Sequence, residues 1–215
     1  RARLMLASVD LERITTGPIE LPAAEIEIDL DIETAADERV YLWGFLVDDT
    51  RTEDQPVFVE FSAWEDLSAG AETALARRAL GWLQEQLTGP ASVRVYHYSA
   101  YEVVRLQQLV EASGDPLLAD ALEVARTEWC DLFLIMRDHW FGTQGLGLKI
   151  VASLGAGFEW RDAEPGGLNS QAWFEEAVHA PSAEARAAAR KRVLDYNEDD
   201  VRATWQLRRW LRDQS

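Results

Sequence analysis

The sequence predicts an α/β fold, a mixed sheet flanked by helices with a helical C-terminal portion. Three observations carry that expectation. Residues 25–33 read EIEIDLDIE, a strict alternation of acids and aliphatics with the period of two that belongs to a β-strand. Two further strand-like runs follow, separated by polar turns, and beyond them the apolar spacing changes to that of helices. At 215 residues, 47% hydrophobic and 27% charged, the chain has ordinary globular composition and enough length for a full core.

Residues 1–22 contain the breakers TTGP and LP and read as an irregular segment or linker, with one compact domain over 23–215. The strand EIEIDLDIE places Glu25, Glu27, Asp29, Asp31 and Glu33 on one face and Ile26, Ile28, Leu30 and Ile32 on the other. After the turn TAADER, VYLWGFLV (40–47) forms a second strand; after DDTRTEDQP, PVFVEFSAW forms a third. Short polar links between them predict an antiparallel meander. AGAETALARRALGWLQEQL (69–87) has helical spacing, SVRVYHYS (92–99) is a fourth strand, and YEVVRLQQLVEAS is a helix. The order to that point is β-β-β-α-β-α.

Past Asp115–Pro116 the chain reads as mainly helical, through PLLADALEVAR, WCDLFLIMRDHWF and GLKIVASLG, although CDLFLI also suits a short fifth strand. The loop DAEPGGLNS precedes a helix around 171–178, and final helices run from about Ser182 to Arg212. GAG at 155–157 is a helix stop rather than a nucleotide loop, because no strand precedes it. No internal repeat, Walker loop, HExxH or CxxC pair is present.

No apolar run approaches the roughly 20 residues of a membrane span, and the first residues lack the apolar core of a secretory signal. The chain opens on Arg1 rather than Met and is read as a piece of a longer protein. A single cysteine, Cys130, excludes an internal disulfide and suits a reducing cytoplasm. The formal charge of -17 argues at first sight against nucleic acid, whose binders carry a basic footprint. A metal-dependent nuclease escapes that objection, because its carboxylates hold cations that face the phosphate. Eight Lys and Arg fall among the last thirty residues: Arg186, Arg190, Lys191, Arg192, Arg202, Arg208, Arg209 and Arg212. They read as a solvated helix face with pairs such as Glu198–Arg202.

Several acids are placed to act together. Asp31 and Glu33 end the first strand on one face, roughly 6.6 Å apart along it. Glu102 opens the helix that follows the fourth strand, and YNEDD puts Tyr196 and Asp200 four apart, on one face of a late helix. Glu25 and Glu27 lie further up the strand and are expected in water or paired with a base such as Arg94, since neighbouring carboxylates there repel by about 2–3 kcal/mol. Asp29 is a candidate for tuning the site. His97 reads as a hydrogen-bonded structural residue, and Asp195, Glu198 and Asp199 as solvent-facing. Of nine tryptophans, Trp43, Trp82, Trp205 and Trp210 read as packing, while Trp160 and Trp173, flanking the PGG loop, are candidates for stacking on bases.

DIET, the acid-bearing strand–helix junction and the late YxxxD helix resemble the DEDD, or proofreading-exonuclease-like, branch of the ribonuclease H-like superfamily, in its tyrosine subtype. More narrowly, HYSAYE, GLKIVASLG, the PGG loop followed by a Trp, and YNEDDVRATWQLRRWL resemble the ribonuclease H-like domain of predicted RecB-family nucleases. The resemblance covers most of 23–213. It implies that Asp31, Glu33, Glu102 and Asp200 are metal ligands and that Tyr196 positions the attacking water. Most of the superfamily has Asp where Glu102 stands, and Tyr98 replaces the usual Asn four residues before it. Lys149 matches a recurrent position, either helix-packing or near phosphate.

The implied activity is a 3′–5′ exonuclease on single-stranded DNA or RNA ends. Two Mg²⁺ or Mn²⁺ ions about 3.5–4 Å apart would activate water and stabilise the attacking and leaving oxygens. Other nuclease or helicase modules in the full-length chain are the implied partners. Two alternatives remain: a non-catalytic module that positions nucleic acid, and a structure-selective endonuclease.

Overall fold

The structure, a computed structural model, describes residues 10–214. The alternating stretch forms β2 (Ile26–Thr34), after a short β1 (Leu11–Arg13). It pairs antiparallel with β3 (Val40–Asp49), which pairs in turn with β4 (Val57–Ser62), so the expected meander is present. β5 (Val93–His97) lies parallel to β2, and β6 (Cys130–Asp131) parallel to β5. The five-stranded sheet thus has the order β4-β3-β2-β5-β6.

The aliphatic face of β2 meets three helices: α1 (Ala69–Leu87), α2 (Tyr101–Ser113) and α3 (Pro116–Glu128). Ser68 caps α1 by accepting from the Ala71 amide, and its stripe Leu75, Ala76, Ala79, Leu80 and Leu83 is buried. Gly114 takes the left-handed turn that ends α2, and Asp115 caps α3 with Pro116 in its first turn. Ile28, Leu30 and Ile32 pack there with Phe45, Leu80, Leu106 and Leu118 in the largest core cluster.

CDLFLI divides between the two readings open to it. Its first two residues are β6, and α4 (Leu132–His139) begins at once with Asp131 as its cap. β7 (Trp140–Gly142) then pairs with β1, so the segment expected to be irregular before residue 23 contains a strand. Ile19 from that segment is buried with Met136, Trp140, Val151, Leu207 and Leu211. Residues 1–9 lie outside the described residues. α5 (Leu148–Leu154) ends at Gly155, and α6 (Gly167–His179) starts four residues earlier than expected, taking in Leu168, Asn169 and Ser170. The C-terminal helices are one continuous helix, α7 (Ala183–Asp213).

The acidic face of β2 is not wet. α7 lies across β2 and β3, and it covers Glu27 and Asp29 completely. Arg208, itself fully buried, lies between them: its Nε donates to both Asp29 oxygens at 3.2 and 3.1 Å, and Nη2 to Asp48 at 3.1 Å. Nη1 donates to Glu27, which also accepts from Arg212 at 2.6 and 2.9 Å. The Tyr96 ring lies beneath the Arg208 guanidinium at 5.0 Å. The expectation that Glu27 faces water or Arg94 is therefore corrected, as is the solvated reading of Arg208 and Arg212, whereas the expected Glu198–Arg202 pair is present and Lys191, Arg192 and Arg209 stay exposed. Arg94 bonds Glu128 instead, and only Glu25 of the acidic row stays exposed, against Ser92 and Arg51. Amphipathic alternation gives two faces but does not say which helix will cover the polar one.

Burial works against ionisation of Glu27, yet the hydrogen bond from Arg212 and the charge of Arg208 outweigh it and hold its carboxyl below the ordinary range. Asp29 is buried more deeply and is pushed up to about 7 despite Arg208. No helix of the described residues is long and apolar enough to cross a membrane.

Removing one member of a buried ion network strands the others, at a cost of about 3–5 kcal/mol. Arg208→Ala is expected to lose that much in urea unfolding. Arg77→Ala, at an exposed pair with Asp115, should lose about 1 kcal/mol or less. Equal losses in the two variants would show that Arg208 does not hold α7 to the sheet.

Candidate active site

At the other end of the acidic row, Asp31 and Glu33 meet Asp200 from α7, with one carboxylate oxygen of each within 4.8 Å of the other two. The strand brings the first two to one face, and the crossing of α7 brings the third. Each carboxylate has one oxygen engaged by a neutral side-chain donor. Asn197 Nδ2 donates to Asp31 Oδ2 at 2.7 Å, Ser170 Oγ to Glu33 Oε2 at 2.5 Å, and Trp160 Nε1 to Asp200 Oδ1 at 2.7 Å. Ser170 is fixed in turn by the Tyr41 hydroxyl at 2.9 Å.

Among the described residues, one cation reaches this cluster. Lys149, from α5, donates through Nζ to Tyr196 Oη at 2.8 Å and to the two Asp200 oxygens at 3.2 and 3.4 Å. Its ammonium also lies over the rings of Trp160 and Tyr196, at 5.3 and 4.8 Å. A single ammonium does not balance three buried carboxylates. Burial, then the charges of Glu33, Asp200 and Glu102, holds the Asp31 carboxyl well above its usual range. Burial and the Asp200 charge push Glu33 up to about 8. Burial, reinforced by the Asp200 charge, also raises the Tyr196 hydroxyl, which therefore keeps its proton at neutral pH.

The donors are all carboxylate oxygens, the ligand type that hard divalent cations prefer. Together with Asp31 and Glu33 carboxyls raised by burial and by neighbouring carboxylate charges, they make a set that fits such an ion.

A family profile described as the RNase H superfamily matches residues 28–212. The chain belongs to the RNase H superfamily. No curated protein and no solved structure gives a significant match.

In this RNase H superfamily chain the structure gathers some of the residues singled out from sequence and separates others. Asp31, Glu33, Asp200, Tyr196 and Lys149 converge. Glu102 is buried but stands outside the three-acid cluster, with its Oε2 3.3 Å from His97 Nδ1. Burial raises its carboxyl, and the His97 contact opposes that rise. Trp160 is at the site, bonded through its indole N–H. Trp173 is a correction: 5% exposed, it packs edge-on against Tyr196 beneath the Arg192 guanidinium, leaving little ring face for a base.

Asp199 is corrected too. It is buried and grips Arg161, accepting from the backbone N–H at 2.8 Å and from Nε at 2.7 Å, while Glu198 accepts from Nη2 at 3.0 Å. This clamp fixes the residue next to Trp160. Sequence reasoning missed Asn197 and Ser170. The first is adjacent to Tyr196 in YNEDD; nothing local marks the second.

A cavity of about 230 Å³ opens at the cluster, lined by Asp31, Glu33, Thr34, Tyr101, Tyr196 and Asp200 among others. A larger cleft of about 580 Å³ lies beside the C-terminal part of α7, where Arg208, Arg212, Glu27 and Asp48 are already paired with one another. The smaller cavity is the one where carboxylates converge without full compensation.

The raised Glu33 carboxyl links stability to pH. It keeps its proton in the folded protein where the unfolded chain has released it, which favours the folded state at acid pH. That advantage is lost as pH rises from about 4.5 through about 8, by up to about 1.4 kcal/mol per pH unit for one proton. The stability difference between wild type and Glu33→Gln, measured by urea unfolding without metal, should shift against the wild type over that window. Added Mn²⁺ should restore the wild type. A difference that does not change with pH would contradict the raised carboxyl.

Proposed function

We propose that this domain is a divalent-metal-dependent nuclease, a 3′–5′ exonuclease that cleaves single-stranded DNA or RNA ends, of the DEDD tyrosine type. The observation that carries the reading is the convergence of Asp31 and Glu33 on the first long strand with Asp200 on the last helix. Those three carboxylates would hold Mg²⁺ or Mn²⁺, two ions in the full site. Bound there, the metal would supply an activated water and stabilise charge on the phosphoryl oxygens.

The remaining work falls to the chain's own side chains. Tyr196 keeps its phenolic proton and orients the attacking water by hydrogen bonding. Lys149, already 2.8 Å from that hydroxyl, supplies a mobile positive charge for a phosphate oxygen. Trp160 holds Asp200 from the outer side. Glu102 acts through its charge, which is felt at Asp31. The three acids and the cavity account for hydrolysis in a protein of net charge -17, since the phosphate meets cations held by the carboxylates rather than a basic surface. We place the domain among other nuclease or helicase modules of a longer protein.

A second reading, a module that positions nucleic acid without cutting it, is favoured by one contact, the engagement of Glu102 by His97.

With Mg²⁺ or Mn²⁺, the wild type should shorten end-labelled single strands from the 3′ end and leave circular strands intact. Asp31→Ala and Asp200→Ala should reduce this to background, and Tyr196→Phe should lower kcat by roughly 10²-fold, the lower range for a positioned proton-handling group. Undiminished cleavage by either alanine variant would sink the catalytic reading. Binding of strands with no cleavage and no Mn²⁺ uptake would establish the positioning module instead.

A further inference from the structure

Asp31 and Gly44 are directly paired across β2 and β3, so they share the face covered by α7. Gly44 is flanked by Trp43 and Phe45 in an otherwise apolar strand. A glycine inside a strand weakens it unless something must approach closely. The need here is for space, not for an unusual backbone, because Gly44 is not among the glycines with positive φ. A Cβ at Gly44 would lie 1.7 Å from Asn197 Oδ1 and 2.8 Å from Asn197 Cγ. The amide of Asn197 therefore occupies the volume that any side chain at position 44 would take.

Asn197 is fully buried. Its Nδ2 donates to Asp31 Oδ2 at 2.7 Å, and its Oδ1 has no hydrogen-bond partner among the described residues. A carboxylate accepts only from donors. The amide is thus oriented by Asp31: N–H toward the acid, and the carbonyl turned over Gly44, the one place on β3 with no side chain to obstruct it. An aspartate at 197 would put another carboxylate against Asp31. Asp31 is left with Oδ2 held and, among the described residues, no hydrogen bond to Oδ1.

We infer that Asn197, seated over Gly44, is a positioning residue that presents Asp31 Oδ1 to a divalent cation. The inference rests on the metal-site reading above and adds to it two residues outside the acidic set. Partners that orient metal ligands are worth 10–100-fold in metal affinity.

The test is Mn²⁺ titration by calorimetry, with thermal unfolding as a parallel measure of stability. Asn197→Ala should bind Mn²⁺ at least about tenfold more weakly than wild type. Gly44→Ala should weaken binding similarly, although it retains Asn197, because the new methyl group displaces the amide. The double variant Gly44→Ala/Asn197→Ala removes the clash with the amide and leaves only a 3.1 Å approach to the Phe58 ring edge, which a small ring shift relieves. It should recover the unfolding temperature of Asn197→Ala while its Mn²⁺ affinity stays low, so the two losses do not add. Leu118→Ala, in the distant core beneath α1 and α3, should lower stability and leave Mn²⁺ affinity unchanged.

Wild-type affinity in Asn197→Ala overturns the positioning role while leaving the metal site standing. Recovery of affinity in the double variant, or an equal loss in Leu118→Ala, also overturns it, by showing strain or general destabilisation to be the cause. A wild type that binds no Mn²⁺ overturns the metal-site reading and the positioning role together.

Discussion

Four carboxylates on one face of one strand, covered by a single helix, set the terms for the rest of this protein. Glu27, Asp29, Asp31 and Glu33 point toward α7 at two-residue intervals, and like charges at that spacing cannot be buried uncompensated. The two ends of the row are resolved differently. Arg208 and Arg212, arriving from the last turns of α7, neutralise Glu27 and Asp29. Earlier in the same helix come Asn197 and Asp200, which give Asp31 and Glu33 one amide and another negative charge. The C-terminal end of the helix thus anchors the sheet, and its middle leaves a deficit of positive charge.

That deficit is what makes the site chemically useful. A buried ion network with matched charges is structurally rigid and has little call for an external ion. A cluster of three acids with, among the described residues, only Lys149 beside it holds the Asp31 and Glu33 carboxyls high and has a strong electrostatic demand for cations. The neutral donors around it, from Asn197, Ser170 and Trp160, fix one oxygen of each acid without satisfying its charge. Orientation and charge compensation are therefore supplied by different groups. The first is built into the fold, and the second is left for a ligand.

Packing enforces the same arrangement. α7 can lie low on β3 because Gly44 has no side chain, and the anchoring of Arg208 against Asp29 and Asp48 fixes the register of the helix about two turns from Asp200. Trp160 is brought in by the Arg161 clamp on Asp195, Glu198 and Asp199. Residues that read from sequence as a solvated acidic patch thereby hold the segment whose Trp160 bonds Asp200.

The sequence by itself determined the strand alternation, the meander and the helical remainder, because periodicity is a local property, and it singled out Asp31, Glu33, Tyr196 and Asp200 as candidates to act together. Its limits are equally physical. Alternation in EIEIDLDIE shows that the acids share a face, but whether that face meets water or a helix depends on where α7 lands, so Glu27 and Arg208 were legible only as surface. Gly44 carried a signal, a glycine within an apolar strand, yet the atom that needs its space comes from residue 197. Ser170 had no signal, and Trp173 looked available until its packing under Arg192 was visible. Only tertiary structure decides which acids are paired and which are left wanting a cation, since compensation is a matter of distances between parts of the chain that no sequence window contains.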